Sequence, residues 1–434
     1  MIMGLLALLI PGLTGYYILR CFKGRRYSFE LMDIFLMVGL GLGISAQIIF
    51  YVLIFSGHID CAFIIGVYLL SLCVLFLCSY RYLSKQLLSF SFSFRSVLIV
   101  GVILALVALA ASILAVLRPW GDWDGWSYWN YRASFFFKSG HDWPRMFQLN
   151  MQQQHPWMLP LIILWGWAFY ASQRTIVPMA IGIIFTVSTV GLLIGALKKH
   201  VSFFWAVLGG VFLASIPMYL LQGTSQYADI VAAYFILLSS VLALDFLKSP
   251  SVSSAALTGL CLGLTATVKD NSIVAALLLF FLIIMRLRKR GLGIFIKPLC
   301  WGFITIAVSV VLMRCFEVFY SYHNTYGVFL PGLLDWHKWY LTGQFVWKTL
   351  INILWGGLWP LVFFCLIAKR VRRIKGEIDV LIQFIALYTI FYLFIFVASA
   401  LRLEWLLTAS FDRTVFLLAP VVVFVMFYII GKKE

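Results

Sequence analysis

The sequence predicts an all-α polytopic membrane protein of about 13 transmembrane helices, with a large first extracytoplasmic loop carrying interfacial helices; apolar runs of bilayer-crossing length are the main reason. Of its 434 residues, 63% are hydrophobic and only 11% charged, where soluble globular domains carry about 25%. The apolar runs are about 20 residues long, the length that crosses a bilayer, and they recur from one terminus to the other. Charge alternates between the loops that separate them. One set of loops carries 22 of the 33 Lys and Arg but 6 of the 16 acidic residues, leaving 11 and 10 for the other set. The positive-inside rule assigns the basic set to the cytoplasm and accounts for the net charge of +17 without a nucleic-acid partner. The whole chain, 1–434, reads as a single membrane domain, with four helices in 1–117, a catalytic loop in 118–175 and the remaining helices in 176–434.

Met3–Leu19 lacks a basic n-region and leads at once to further apolar runs, so it reads as a span and not as a removable signal. RCFKGRR follows it, placing the N-terminus outside. Leu31–Phe55 and Cys61–Ser79 flank a short outer turn with His58 and Asp60, and Ser96–Leu117 delivers the chain to the outer surface. Trp157–Ala171 is short for a crossing and starts HPWMLP, which predicts an interfacial or re-entrant helix. Ile176–Leu197, Val201–Leu221 and Ile230–Phe246 then alternate. Two short segments, Ala255–Val268 and Ser272–Met285, meet at Lys269-Asp270-Asn271. Pro298–Phe316 leads to a second outer loop holding His323, Asp335 and His337, and Trp347–Ala368, Val380–Ala400 and Val415–Ile430 complete the crossings. The eight cysteines form no CxxC pair and read as small hydrophobes.

The longest polar interruption is Arg118–Pro156, with three carboxylates (Asp122, Asp124, Asp142), four basic residues, two histidines and five tryptophans. Asp124 stands before GWSYWNYRASFFFK, which predicts an amphipathic helix in the headgroup layer, with Asp124 as its cap or as a catalytic carboxylate. Charge at a helix centre in hydrocarbon costs about 2.5–3.5 kcal/mol, so ionisable groups at or within the ends of spans need a reason. Asp229, Lys269, Asp270, Arg314, Glu317, Arg402, Glu404, Asp412 and Arg413 are such groups, and all fall on the predicted outer side. The chain holds no Gly-rich phosphate loop, HExxH or nucleophile elbow, which argues against a nucleotide-using enzyme.

In order, WGDWDGWSYWNYRA, HPWMLPL, YADIVAAYF, GLCLGLTATVKDN and DRTVFLLAP resemble the GT-C superfamily of integral-membrane glycosyltransferases. The likeness is greatest to bacterial relatives of protein O-mannosyltransferases and of the lipid A aminoarabinose transferase, and it extends from Arg118 to Pro420. It implies transfer of a sugar, with inversion, from a polyprenyl-phosphate donor to a glycan, lipid or protein acceptor. The reaction would take place on the periplasmic side of a bacterial inner membrane. In the family an Asp of the first loop is the base or orients the acceptor; Asp124 matches it best, with Asp122 as the alternative. Asp229 matches the second acidic position, Lys269 and Arg413 the groups contacting donor phosphate, and His155 the polar residue opening the HP segment. Arg402, Glu404, Trp126 and Asn130 complete the expected substrate-binding set. The chain departs from the family in having four spans before the loop where most members have one. It also reads KDNS where the lysine motif is Lys-Asn-Glu-Gly, and it lacks a C-terminal soluble domain.

On this reading the acceptor hydroxyl loses its proton to Asp124 while Lys269 and Arg413 stabilise the departing phosphate. A divalent cation on Asp122, Asp124 and Asp229 is the alternative source of that positive charge, and no other cofactor is expected. The rival readings are a transporter or flippase of a lipid-linked or anionic solute and an O-antigen ligase or polymerase.

Overall fold

The structure, a computed structural model, describes residues 2–23, 28–57, 60–80, 93–148, 155–319, 330–367 and 376–431. His58, His323 and the basic residues within 24–27, 81–92, 368–375 and 432–434 lie outside the described residues. Every regular element among those described is helical, as hydrocarbon requires of an open chain that must satisfy its own backbone. Eight helices are long and apolar enough to cross a membrane, or ten if each of two bent pairs is one crossing, so the chain is a multi-pass membrane protein.

The bent pairs have local causes. Phe203–Ser215 meets Pro217–Thr224 at 66°, where Pro217 lacks the N–H a continuous helix would use. Leu403–Phe416 meets Ala419–Gly431 at 42°, so the helical path expected to begin at Val415 starts twelve residues earlier. The expected span Trp347–Ala368 is replaced by two helices, Trp336–Ile351 and Leu358–Ile367. Between them Asn352 is extended and its Oδ1 accepts from Leu354 N–H at 2.9 Å, while Gly356 and Gly357 take φ of 57° and 76°. An Asn that bonds the local backbone and two glycines in the left-handed region stop a helix despite apolar flanks.

One further expectation is corrected. Of the paired short segments, Asp270–Lys289 is long enough to cross, and only Val252–Ala266 is short. The helix in Trp157–Ala171, Met158–Tyr170, is too short to cross and is buried continuously from Met158 to Ala168. It packs among Ile2–Lys23, Leu31–Ser56, Cys61–Tyr80, Ile176–Lys198 and Asn130–Lys138; of the two expected alternatives, a re-entrant helix is enclosed by protein in this way, whereas an interfacial one keeps one face outward.

Burial separates the crossings by position. Ala228–Lys248 is 94% buried, against 11% for Cys61–Tyr80 and 17% for Phe94–Leu117, although the latter two are the more apolar, with mean hydropathy of 2.7 and 3.1 against 2.3. The first is the axis of the bundle; the other two turn residues such as Leu70, Leu77, Leu106 and Val116 outward, as a lipid-facing surface does. Val252–Ala266 lies against Ile296–Phe319 at backbone contact. A side chain on Gly259 would overlap Leu299 O, and one on Gly302 would overlap Ala256 O, the small-residue packing that membrane helices use in place of a hydrophobic drive. This close pairing fixes the turn at Lys269 beside the start of the axial helix.

Candidate active site

The Arg118–Gln148 region is pinned to the bundle through its backbone. Gln226, at φ 60°, donates from Nε2 to Pro119 O at 3.1 Å and accepts from Asn130 Nδ2 at 2.7 Å. Asp122 N–H donates to Ser225 O at 3.1 Å, and Gly121 and Gly125 both lie so close to Ser225 O that neither has room for a side chain. The stretch after Asp124 forms a π turn, Gly125–Trp129, which runs into the helix Asn130–Lys138. Asp124 itself is in right-handed helical conformation and makes no capping bond, so the N-cap reading gives way to a different use of its carboxylate.

That carboxylate reaches the far end of the chain. Arg413 Nη1 donates to Asp124 Oδ2 at 2.5 Å and Nη2 to Asp229 Oδ2 at 2.8 Å, while Lys269 Nζ donates to Asp229 Oδ1 at 2.8 Å. Asp229 is fully buried at the first turn of Ala228–Lys248, where the helix dipole favours negative charge. Burial pulls the Lys269 ammonium below its usual range, and the Asp229 carboxylate opposes that pull. The Arg413 guanidinium lies over the Tyr227 ring at 4.4 Å, and the Tyr227 hydroxyl accepts Asp124 N–H at 3.2 Å. Burial pushes that hydroxyl up to about 12, so it stays neutral. Two acids face two bases, and the cluster is formally balanced. Arg413 keeps one buried donor, Nε–H, with no partner among the described residues.

A second cluster lies beside the first. Arg314 donates from Nη2 to Asp270 Oδ1 at 2.6 Å and from Nη1 to Glu317 Oε2 at 2.7 Å. His155 Nδ1 is 3.4 Å from Asp270 Oδ2, near but not aligned for a hydrogen bond. The imidazole stacks on Trp129 at 5.5 Å with 12° between planes, and Tyr128 meets it edge-on. Arg132 Nη1 donates to His155 O at 2.8 Å and Nη2 to the Tyr128 hydroxyl at 2.6 Å. With His155 neutral, Asp270 and Glu317 are answered by Arg314 and Arg132, and this cluster too is formally balanced. Asn271 Nδ2 donates to Thr414 Oγ1 at 3.2 Å, which ties the residue after Asp270 to the residue after Arg413.

Two cavities adjoin these groups. An apolar groove of about 630 Å³ is bounded by Tyr388, Tyr392, Phe396, Phe411, Thr414 and Leu418. An aromatic groove of about 1060 Å³ is bounded by Trp120, Trp126, Tyr131, Trp167, Ser134 and Gln173.

Of the residues picked out in the sequence, Asp124, Asp229, Lys269 and Arg413 are bonded to one another, and His155 is in the neighbouring cluster. Asp122 is exposed and points to Arg118 at 3.5 Å. Arg402 and Glu404 are exposed and pair with each other at 3.2 Å. Trp126 borders the aromatic groove, and Asn130 is buried in the Gln226 clamp. Asp412 accepts from Thr349 Oγ1 at 2.9 Å, a helix-to-helix tie. The three-carboxylate cation site does not fit: Asp122 lies apart, and Arg413 already bridges Asp124 and Asp229. Among the described residues no group of three His, Cys, Asp or Glu is placed to hold a metal. Sequence reasoning missed Gln226 and Tyr227, whose only signal is two polar residues ahead of a helix-opening Asp. It also gave Arg132 no role. In comparisons with family models, curated proteins and solved structures, the chain matches none.

Proposed function

We propose that the chain is a GT-C-type glycosyltransferase that moves a sugar from a polyprenyl-phosphate donor to an extracytoplasmic glycan, lipid or protein, inverting the anomeric carbon. Its active side would be the periplasmic side of a bacterial inner membrane. The finer count of about thirteen crossings belongs to the same proposal; Ile2–Lys23, at 22 residues, is long enough to be a crossing beyond the ten described.

The observation that carries this reading is a largely buried cationic pair with an apolar groove beginning at the next residue of the helix that carries Arg413. Arg413 and Lys269 can meet a phosphate; Thr414, the residue next to Arg413, is a wall of the groove, which suits a polyprenyl chain. The phosphate would compete with Asp124 for Arg413, whose planar fork binds oxyanions at two points. Asp124, released, is then free for the acceptor hydroxyl. A phosphate departs well without protonation, so fixed positive charge is what the leaving step needs. The aromatic groove on the other side of Trp126 provides ring faces and neutral hydrogen-bonding groups for the acceptor.

Two measurements on purified chain in vesicle-free detergent test this. Native mass spectrometry with synthetic polyprenyl phosphate should detect binding, and a labelled lipid-linked sugar should pass to an acceptor. Binding without any transfer would favour a transporter, because transport needs two compartments and transfer does not. No binding at all removes the donor assignment.

A further inference from the structure

Resting on the glycosyl-transfer reading above, we infer that His155, oriented by Asp270, is the base that takes the acceptor's proton, with Asp124 positioning the acceptor hydroxyl. In the resting cluster Asp124 Oδ2 is taken by Arg413; once a phosphate draws Arg413 away, the carboxylate is left to accept the acceptor O–H and hold it in place. His155 is placed differently. Its Nδ1 is enclosed and faces Asp270 Oδ2, whereas Nε2 is neither enclosed nor bonded to any described residue, and 17% of the side chain is accessible. The open edge of the ring is therefore the one with a free lone pair when Nδ1 carries the proton, the tautomer that an adjacent carboxylate favours.

The ring is held still. Trp129 stacks on one face, Tyr128 abuts it edge-on, and Arg132 grips the His155 carbonyl at 2.8 Å. Asp270 is in turn fixed by Arg314 at 2.6 Å, which also holds Glu317. The Nδ1–Asp270 contact is an approach and not a formed hydrogen bond here; catalytic hydrogen bonds commonly align only when substrate is bound. Lys269, bonded to Asp229, and Asp270, 3.4 Å from the imidazole, are consecutive residues, so His155 and the Asp124–Arg413–Asp229 cluster adjoin across that turn.

In the step assigned here, the acceptor O–H proton passes to His155 Nε2 as the oxygen's electron pair forms the bond to the anomeric carbon. The carbon–oxygen bond to phosphate breaks, and its electron pair leaves with polyprenyl phosphate. Asp270, whose Oδ2 is 3.4 Å from Nδ1, offsets the imidazolium formed.

The groups facing the ring are Asp270 and Lys269 at the turn before Asp270–Lys289, Tyr128 and Arg132 on the loop, and Arg314 and Glu317 behind Asp270. Burial lowers the imidazole below its usual value and Asp270 opposes this, so at pH 7 the base is unprotonated. Turnover should accordingly fall only as pH drops through that lowered value, a limb on the acid side.

The test uses the full chain in detergent, synthetic polyprenyl phosphate for binding and lipid-linked sugars extracted from the host envelope for turnover. His155→Ala should lose turnover by about 10²–10⁴-fold while binding polyprenyl phosphate as the natural chain does. Its residual rate, and that of His155→Gln, should lack the acid limb, and added imidazole should return part of the rate to His155→Ala. Turnover within about threefold of the natural chain, an acid limb that persists in the variants, or lipid binding lost in step with turnover would each overturn the assignment. If the unaltered chain neither binds polyprenyl phosphate nor consumes lipid-linked sugar, the transferase reading fails and the base falls with it.

Discussion

Two charge clusters stand side by side at one end of the bundle, and they differ in one ingredient. In one, Asp124 and Asp229 answer Arg413 and Lys269, and the formal charges cancel. In the other, Asp270 and Glu317 answer Arg314 and Arg132 beside an imidazole that is neutral at pH 7. The first holds only fixed charges, so an arriving anion can enter it only by exchange for a carboxylate contact. The second contains a group that can take up a proton. The contrast teaches that position alone does not separate the two; whether a cluster includes a neutral titratable group does.

The strongest way to break the contrast is Arg413→Ala. It removes the group that joins Asp124 to Asp229 and leaves a fully buried carboxylate with Lys269 as its one charged partner among the described residues. Breaking a buried pair in this way costs on the order of 3–5 kcal/mol, so the midpoint of thermal unfolding should fall and polyprenyl phosphate binding should disappear. Arg413→Lys should recover part of the stability but little binding, because an ammonium cannot span two carboxylates. Asp124→Asn tests the same cluster more gently. Turnover should drop by about 10²–10⁴-fold, yet polyprenyl phosphate should bind at least as tightly, since Arg413 is no longer shared. Weaker lipid binding in that variant would show that Asp124 holds Arg413 in place and does not compete with the phosphate.

The second cluster predicts a smaller effect with a sign. Asp270→Asn removes the carboxylate that opposes the burial-lowered proton affinity of His155. The acid limb of turnover should therefore move to lower pH, and the rate at pH 7 should fall by about tenfold as the ring loses its orienting partner. A limb displaced to higher pH would contradict the part given to Asp270 in opposing the effect of burial on His155.

The residues of both clusters were legible one at a time and illegible in pairs. Asp229, Lys269 and Arg413 each stand out because charge in an apolar setting is costly, and that cost can be read along a chain. What joins Arg413 to Asp124 across 289 positions is the arrangement of the bundle, which hydropathy does not contain. Helix existence followed from composition, whereas helix ends did not. Asn352 and Gly356-Gly357 break an apolar run because of backbone geometry, and Met158–Tyr170 is buried because of what packs around it, not because of its length. Gln226 and Tyr227 went unnoticed for a related reason: their work is done through contacts to a loop 100 residues away, and an isolated amide or phenol in sequence has no cost to announce it.

The smallest expected effect sharpens the boundary of the site. Asp122 and Arg402 are as striking in sequence as Asp124 and Arg413, yet Asp122 faces solvent beside Arg118 and Arg402 pairs with Glu404 on the surface. Exposed pairs of this kind contribute between about 0 and 1 kcal/mol, and neither touches the Arg413 cluster. Asp122→Asn and Arg402→Ala should each leave polyprenyl phosphate binding unchanged and shift stability by no more than about 0.5 kcal/mol. A large loss of binding or turnover in Asp122→Asn would move the reacting carboxylate two residues upstream and outside the Arg413 bridge. The division between an anion-exchanging and a proton-accepting cluster would then no longer describe where the chemistry occurs.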